Sequence, residues 1–191
     1  MTIDDDRFLR DLARDHDEED VRRGLSRLSE ALPAVAPAPS ARAQLLEHAT
    51  NAGRFDRFIG RVAELLDLGS DAAKRLLDGL DDASHWSAEL PGISFYWVEG
   101  GPRVAAAVRG FVRVKAGLDF PDHEHLGDEV TLVLQGGFED PLRGLSFRAG
   151  DLDRMAAGTS HGLRALPGTD LLKLAVVQSG LRALGHTYLP R

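Results

Sequence analysis

"FPDHEHLGDEV", residues 120–130, sets His123 and His125 one residue apart and Glu129 four residues beyond the second, in a chain with only 7 histidines. Side chains alternate faces along an extended strand, so His123 and His125 point the same way. Glu129 shares their parity, and Gly127 between them permits a bend that brings the carboxylate toward the imidazoles. Two neutral imidazoles aimed at one point suit a metal ion, and a carboxylate offsets part of the cation's charge, which lowers the cost of burying it. A solvated strand edge is the alternative reading of the same residues. Asp122, Glu124 and Asp128 interleave with the three candidates and have the character of an outward face.

Around this stretch the second half of the chain reads as strand. "GISFYWVEGG", "VAAAVRGFVRVKAG", "VTLVLQGG", "GLSFRAGD" and "DLLKLAVVQSG" combine β-branched and aromatic residues with Gly-rich boundaries. Several short strands with such turns predict a sandwich or barrel. Arg113 and Lys115 alternate with Val112 and Val114, which predicts a charged outer face, with entry into the barrel as anion contacts the alternative.

The first half has a helical period instead. Val21, Leu25, Leu28 and Leu32 form one apolar stripe, and "ALPAVAPAPS" at 31–40 interrupts it as a proline-rich linker. Ser40 is placed to cap a following helix. Phe55, Phe58, Ile59, Val62, Leu65 and Leu66 then make the clearest amphipathic helix, with an expected end at Gly69 and a restart capped by Ser70. This helix–Gly–helix stretch has the outline of a DNA-binding helix-turn-helix, but its surroundings are acidic. Residues 1–90 hold 19 acidic and 12 basic side chains, a net of −7 that equals the whole chain's charge. That balance argues against binding phosphate backbones.

The 191 residues contain no cysteine, which removes disulfides, thiolate metal sites and cysteine nucleophiles, so any metal here is held by nitrogen and oxygen. No apolar run approaches the length of a membrane span, and "MTIDDDRFLRD" lacks the basic and apolar parts of a signal peptide. The expected location is the cytoplasm. The expected domains are a helical region at 1–85 and a β-barrel at 86–191, an α+β protein.

The histidine stretch resembles the first motif of the cupin superfamily, G-x(5)-H-x-H-x(3)-E-x(6)-G. Gly117, His123, His125, Glu129 and Gly136 all fall in register. "GDLDRMAAGTSHGLRA" resembles the second motif, G-x(5)-P-x-G-x(2)-H-x(3)-N, through Gly150, Gly158 and His161, with Ala156 and Ala165 in place of its proline and asparagine. Neither departure touches a ligand of the family. The resemblance implies a double-stranded β-helix of jelly-roll type holding one divalent metal ion through His123, His125, Glu129 and His161. Zinc is the first expectation, with iron, manganese or nickel as alternatives.

"GLSRLSEALPAVAPAPSARAQLLEHA" and "HEHLGDEVTLVLQGGFED" together resemble the ChrR type of anti-sigma factor, a helical sigma-binding region joined to a cupin. The His-x(3)-Cys-x(2)-Cys zinc motif of that helical region has no counterpart in a chain without cysteine, so 1–85 reads as a degenerate version. The resemblance implies a regulator of transcription with a sigma factor as partner, a small molecule or oxidant as ligand at the metal, and a homodimer. The acidic balance and the lack of a long apolar run predict no direct contact with nucleic acid or membrane. The alternative is an Fe(II)-dependent dioxygenase acting on a small carbonyl or enol substrate.

Overall fold

The computed structural model describes residues 53–190, together with Arg23, Ser26 and Arg27. The stripe Val21–Leu32, the linker at 31–40 and the helix expected after Ser40 lie outside the described residues, apart from those three positions.

The predicted amphipathic stripe forms helix α1, Ile59–Leu66, entered through a 3₁₀ turn at Asp56–Phe58. Phe55, Phe58, Val62 and Leu66 are buried along one side. The helix ends differently from expectation. Asp67, not Gly69, takes the left-handed position, with φ 55°. Its carboxylate accepts from Arg103 N at 2.9 Å and Arg103 Nε at 2.7 Å, a tertiary partner that favours this conformation for a non-glycine residue. Ser70 is not a cap but the first residue of helix α2, Ser70–Asp78, and Gly69 holds the capping position without a side-chain bond.

Twelve strands follow: β1 Ser87–Leu90, β2 Ile93–Trp97, β3 Ala107–Val114, β4 Asp119–His125, β5 Glu129–Gln135, β6 Gly137–Asp140, β7 Leu145–Arg148, β8 Leu152–Met155, β9 Ser160–Ala165, β10 Leu171–Gln178, β11 Leu181–Ala183 and β12 His186–Tyr188. They build two six-stranded sheets, ordered β1-β2-β3-β10-β5-β8 and β12-β11-β4-β9-β6-β7. The pairings β3–β10, β5–β10 and β4–β9 at their centres are antiparallel. The sheets share a core: Ile93, Val112, Val114, Val133 and Leu171 from the first pack with Phe120, Phe138, Leu163 and Ala165 from the second. This is the predicted jelly-roll sandwich.

The central strands of the first sheet are buried on both faces. Phe111, Leu132, Leu134, Leu172, Leu174 and Val176 point away from the sandwich and pack with Phe58, Val62, Leu66, Leu77 and Leu80 of the helical segment. That explains why β10 reads as a continuous apolar run rather than an alternation. Arg113 lies on this outer face as expected, yet it is not solvated. It stacks over the Trp86 ring at 4.2 Å and donates to the Leu80 carbonyl at 2.9 Å. The change from helix to strand falls near the expected 85/86 position, whereas packing divides the chain between Leu45 and Leu46. The helices at 59–78 therefore belong to the same compact unit as the sheets.

Candidate metal centre

His123 and His125 stand on β4, His161 on β9, both in the second sheet, while Glu129 opens β5 in the first. His123 and His161 are directly opposed cross-strand partners. A register shift between Phe120 and His123 turns Phe120 onto the same inner face, where its ring meets His123 edge-on with centroids 5.2 Å apart. Glu129 thus reaches the histidines from across the sandwich, after the turn at 126–128 changes sheet. Gly127 serves that crossing by permitting close approach. A Cβ there would sit 2.2 Å from the Gln178 carbonyl oxygen.

The structure brings all four residues together. One ligand atom from each of His123, His125, Glu129 and His161 lies within 4.8 Å of the others, and all four residues are buried. The Nδ1 atoms face outward from the cluster, each toward an acceptor. His123 Nδ1 is 3.1 Å from the Pro121 carbonyl. His125 Nδ1 is 3.1 Å from Thr159 Oγ1, whose own hydroxyl donates to the Ala156 carbonyl and so leaves a lone pair for the ring. His161 Nδ1 is 2.7 Å from Asp140 Oδ2. With the proton on Nδ1 in each ring, every Nε2 presents a lone pair inward.

Those inward atoms fit a metal ion. His125 Nε2 and His161 Nε2 are buried with no hydrogen-bond partner. His125 Nε2 approaches Glu129 Oε2 to 2.7 Å, but without the alignment of a hydrogen bond. Buried polar atoms left unpaired cost free energy, and a shared cation relieves both at once. Three neutral nitrogens and one carboxylate oxygen are a donor set that divalent transition metals accept.

Electrostatics keep the donors ready. Burial pushes His123 down to about 4, helped by the Lys173 charge. Burial also lowers His161, although its bond to Asp140 works in the opposite direction. Burial alone would raise the Glu129 carboxyl, but Lys173, His125 and His123 outweigh it and hold the group below the ordinary carboxylate range. The metal-free protein should therefore lose stability on acidification. An imidazole with a depressed folded value is neutral when folded and takes up its proton more readily when unfolded. The His123 contribution is complete above about pH 6.5 and is lost as pH falls toward about 4. Urea unfolding of metal-free protein at stepped pH checks this; a midpoint constant across that window would contradict it.

A supporting layer lies behind His161 that the sequence reading did not identify. Asp140, fully buried, also accepts from Arg143 Nε at 2.6 Å and Arg143 N at 3.0 Å. The Arg143 guanidinium makes a second, two-pronged pairing with the buried Asp153. Burial raises Asp140, yet His161 and Arg143 together bring it down to about 2. Such partners fix the ring and raise its basicity. Asp140→Asn should weaken metal affinity by about 10–100-fold while the fold persists. Competition with a coloured chelator measures it, and unchanged affinity would remove this role. The remaining described histidines play no part: His85 stacks on Tyr96 with centroids 4.7 Å apart, and His186 is exposed.

Two packed antiparallel sheets closing over an inward-facing set of three histidines and a glutamate define a cupin whose interior fits one metal ion. The family model described as the ChrR cupin-like domain matches residues 80–176, just over half of the chain. This chain belongs to the ChrR cupin-like domain family.

Among curated relatives, the anti-sigma-E factor ChrR of Cereibacter sphaeroides is 34% identical over 115 residues, 57% of this chain. The chain spans 52% of that relative's length. Among solved structures, Rhodobacter sphaeroides SigE in complex with the anti-sigma ChrR matches with 25% identity over 80% of this chain and 74% of that one, TM-score 0.49. An acetylacetone dioxygenase from Acinetobacter johnsonii matches with 14% identity over 57% of this chain and 82% of that one, TM-score 0.48. Among the described residues, no helix is long and apolar enough to cross a membrane.

Proposed function

We propose that this chain is a metal-binding regulatory cupin of the anti-sigma type, working in the cytoplasm on a sigma factor. Membership of the ChrR cupin-like family carries the reading, and the 34% identity to a relative named an anti-sigma-E factor supports it. His123, His125, Glu129 and His161 hold one divalent ion, with zinc the expected metal and a homodimer the expected assembly. Bound there, zinc would supply a fixed centre suited to holding a structure or registering its disturbance. The helical region transmits that state to the partner.

The interior favours a regulator over the dioxygenase. The cavity beside His123 and Glu129 measures about 30 Å³, room for roughly one or two water-sized groups. A diketone or flavonol does not enter such a space without moving Phe95, Trp97 or Phe120 from its wall.

Co-expression with sigma factors of the extracytoplasmic type tests the partner: a complex that co-elutes on gel filtration is expected, and consistent separation removes the anti-sigma role. Elemental analysis of the purified protein tests the metal. Zinc at one per chain agrees with the reading, whereas iron together with oxygen uptake on diketones would favour the enzyme.

A further inference from the structure

Lys173 is a cation inside the sandwich. It sits in the middle of β10 with 3% of its surface exposed, flanked across the sheet by Val112 and Val133. Its Nζ is 3.8 Å from Glu129 Oε1, beyond hydrogen-bond reach, and that oxygen already accepts from Thr131 Oγ1 at 2.9 Å. The rings of Phe120 and Phe138 lie beside it, with centroids 5.6 and 5.8 Å away. An ammonium carries three donors, and burying one without filling them is costly unless something anionic completes the site.

Lys173 lines the same 30 Å³ cavity as His123 and Glu129. The other charged groups near the cluster are committed elsewhere: Asp140 to His161 and Arg143, Asp153 to Arg143. Counting a divalent ion, Lys173 and Arg143 against Glu129, Asp140 and Asp153 leaves one unit of positive charge without a partner.

From this arrangement we infer that the inner cavity is a site for a small carboxylate, which meets Lys173 Nζ and faces the metal position. This rests on the metal reading above and names the ligand class that the regulator responds to. Lys173 is its specificity-determining residue. A neutral isostere of the carboxylate leaves both the ammonium and the surplus charge unanswered, so the site discriminates against it.

The full chain loaded with cobalt(II) provides the test, with formate as the probe and formamide as its neutral counterpart. Cobalt content per chain is measured first, then the visible absorption bands are followed as each probe is added. Formate should shift the bands and formamide should leave them unchanged. Lys173→Met, of similar length but uncharged, should keep one cobalt per chain and bind formate about 30-fold more weakly or worse.

Cobalt bound at one per chain with no formate response in the unsubstituted protein overturns this inference and leaves the metal reading standing. Failure to bind cobalt at all overturns both. A Lys173→Met protein that binds formate within about threefold of the original removes Lys173 from the role. Should that variant not fold, the formate-against-formamide comparison on the original chain still decides the carboxylate site.

Discussion

His125→Ala is expected to weaken metal binding about 100-fold. His125 is fully buried, its Nε2 faces Glu129 Oε2 without a hydrogen bond, and its Nδ1 is anchored on Thr159. The ring is therefore held in place for an inward contact and has no other use there. Structural zinc sites gain about 10–16 kcal/mol from four ligands, so one ligand is worth about 3 kcal/mol, or about 100-fold in affinity. Metal at 100 times the original dissociation constant stabilises the folded chain by about 2.7 kcal/mol, and nearly all of that gain should vanish in the variant. Calorimetry and thermal melts with and without zinc measure both quantities. His85→Ala is the matched control, because that ring stacks on Tyr96 outside the cluster and should leave metal binding unchanged. A His125→Ala protein that binds zinc at one per chain within about threefold of the original would sink the four-ligand centre.

The second large effect concerns the helices. A chain beginning at residue 86 should fail to fold as a soluble monomer, while one beginning at residue 46 should fold. Removing residues 53–85 strips Phe58, Val62, Leu66, Leu77 and Leu80 from the outer face of the first sheet. Phe111, Leu132, Leu134, Leu172, Leu174 and Val176, now at most 5% exposed, would then meet water. At about 1.5–3 kcal/mol for each large apolar side chain, that loss is roughly 10 kcal/mol. Domains of this size are stable by only about 5–15 kcal/mol, so little or nothing remains. The exposed face would also be a large apolar patch, which promotes aggregation. Gel filtration and circular dichroism of the two shortened chains check the outcome. A soluble, cooperatively folding 86–191 chain would show that the helices are dispensable to the barrel.

Helices α1 and α2 complete the core of the sheet that carries Glu129 and Lys173. Strand β10 joins its two faces. Lys173 faces the cavity, while Leu172 and Leu174 on either side of it face the helical cluster.

The sequence was most legible where one local period governed a whole element. The α1 stripe from Phe55 to Leu66 and the strands around "VTLVLQGG" and "DLLKLAVVQSG" could be placed because their spacing records a single buried face or two. Short strands such as β1, β11 and β12, three or four residues each, carry too few positions to show any period. The end of α1 was misplaced for a related reason. Gly69 is a strong local signal, but Arg103, thirty-six residues away, decides that Asp67 takes the left-handed turn.

At the site the division is sharper. By itself the sequence determined the donors: two histidines of one parity, a glutamate after a glycine, and a third histidine at a fixed later spacing. Ligand identity is local information, because it depends only on which atoms a side chain carries and which face of a strand it leaves. Tertiary structure alone decided that Glu129 arrives from the opposite sheet, that Asp140 and Arg143 brace His161, and that Lys173 turns its charge into the same cavity. These are relations between strands far apart in the chain. A lone lysine in "LLKLAVV" signals a charge on one face of a strand, but only the packing of two sheets makes that face the inside, where an ammonium without a hydrogen-bond partner is costly.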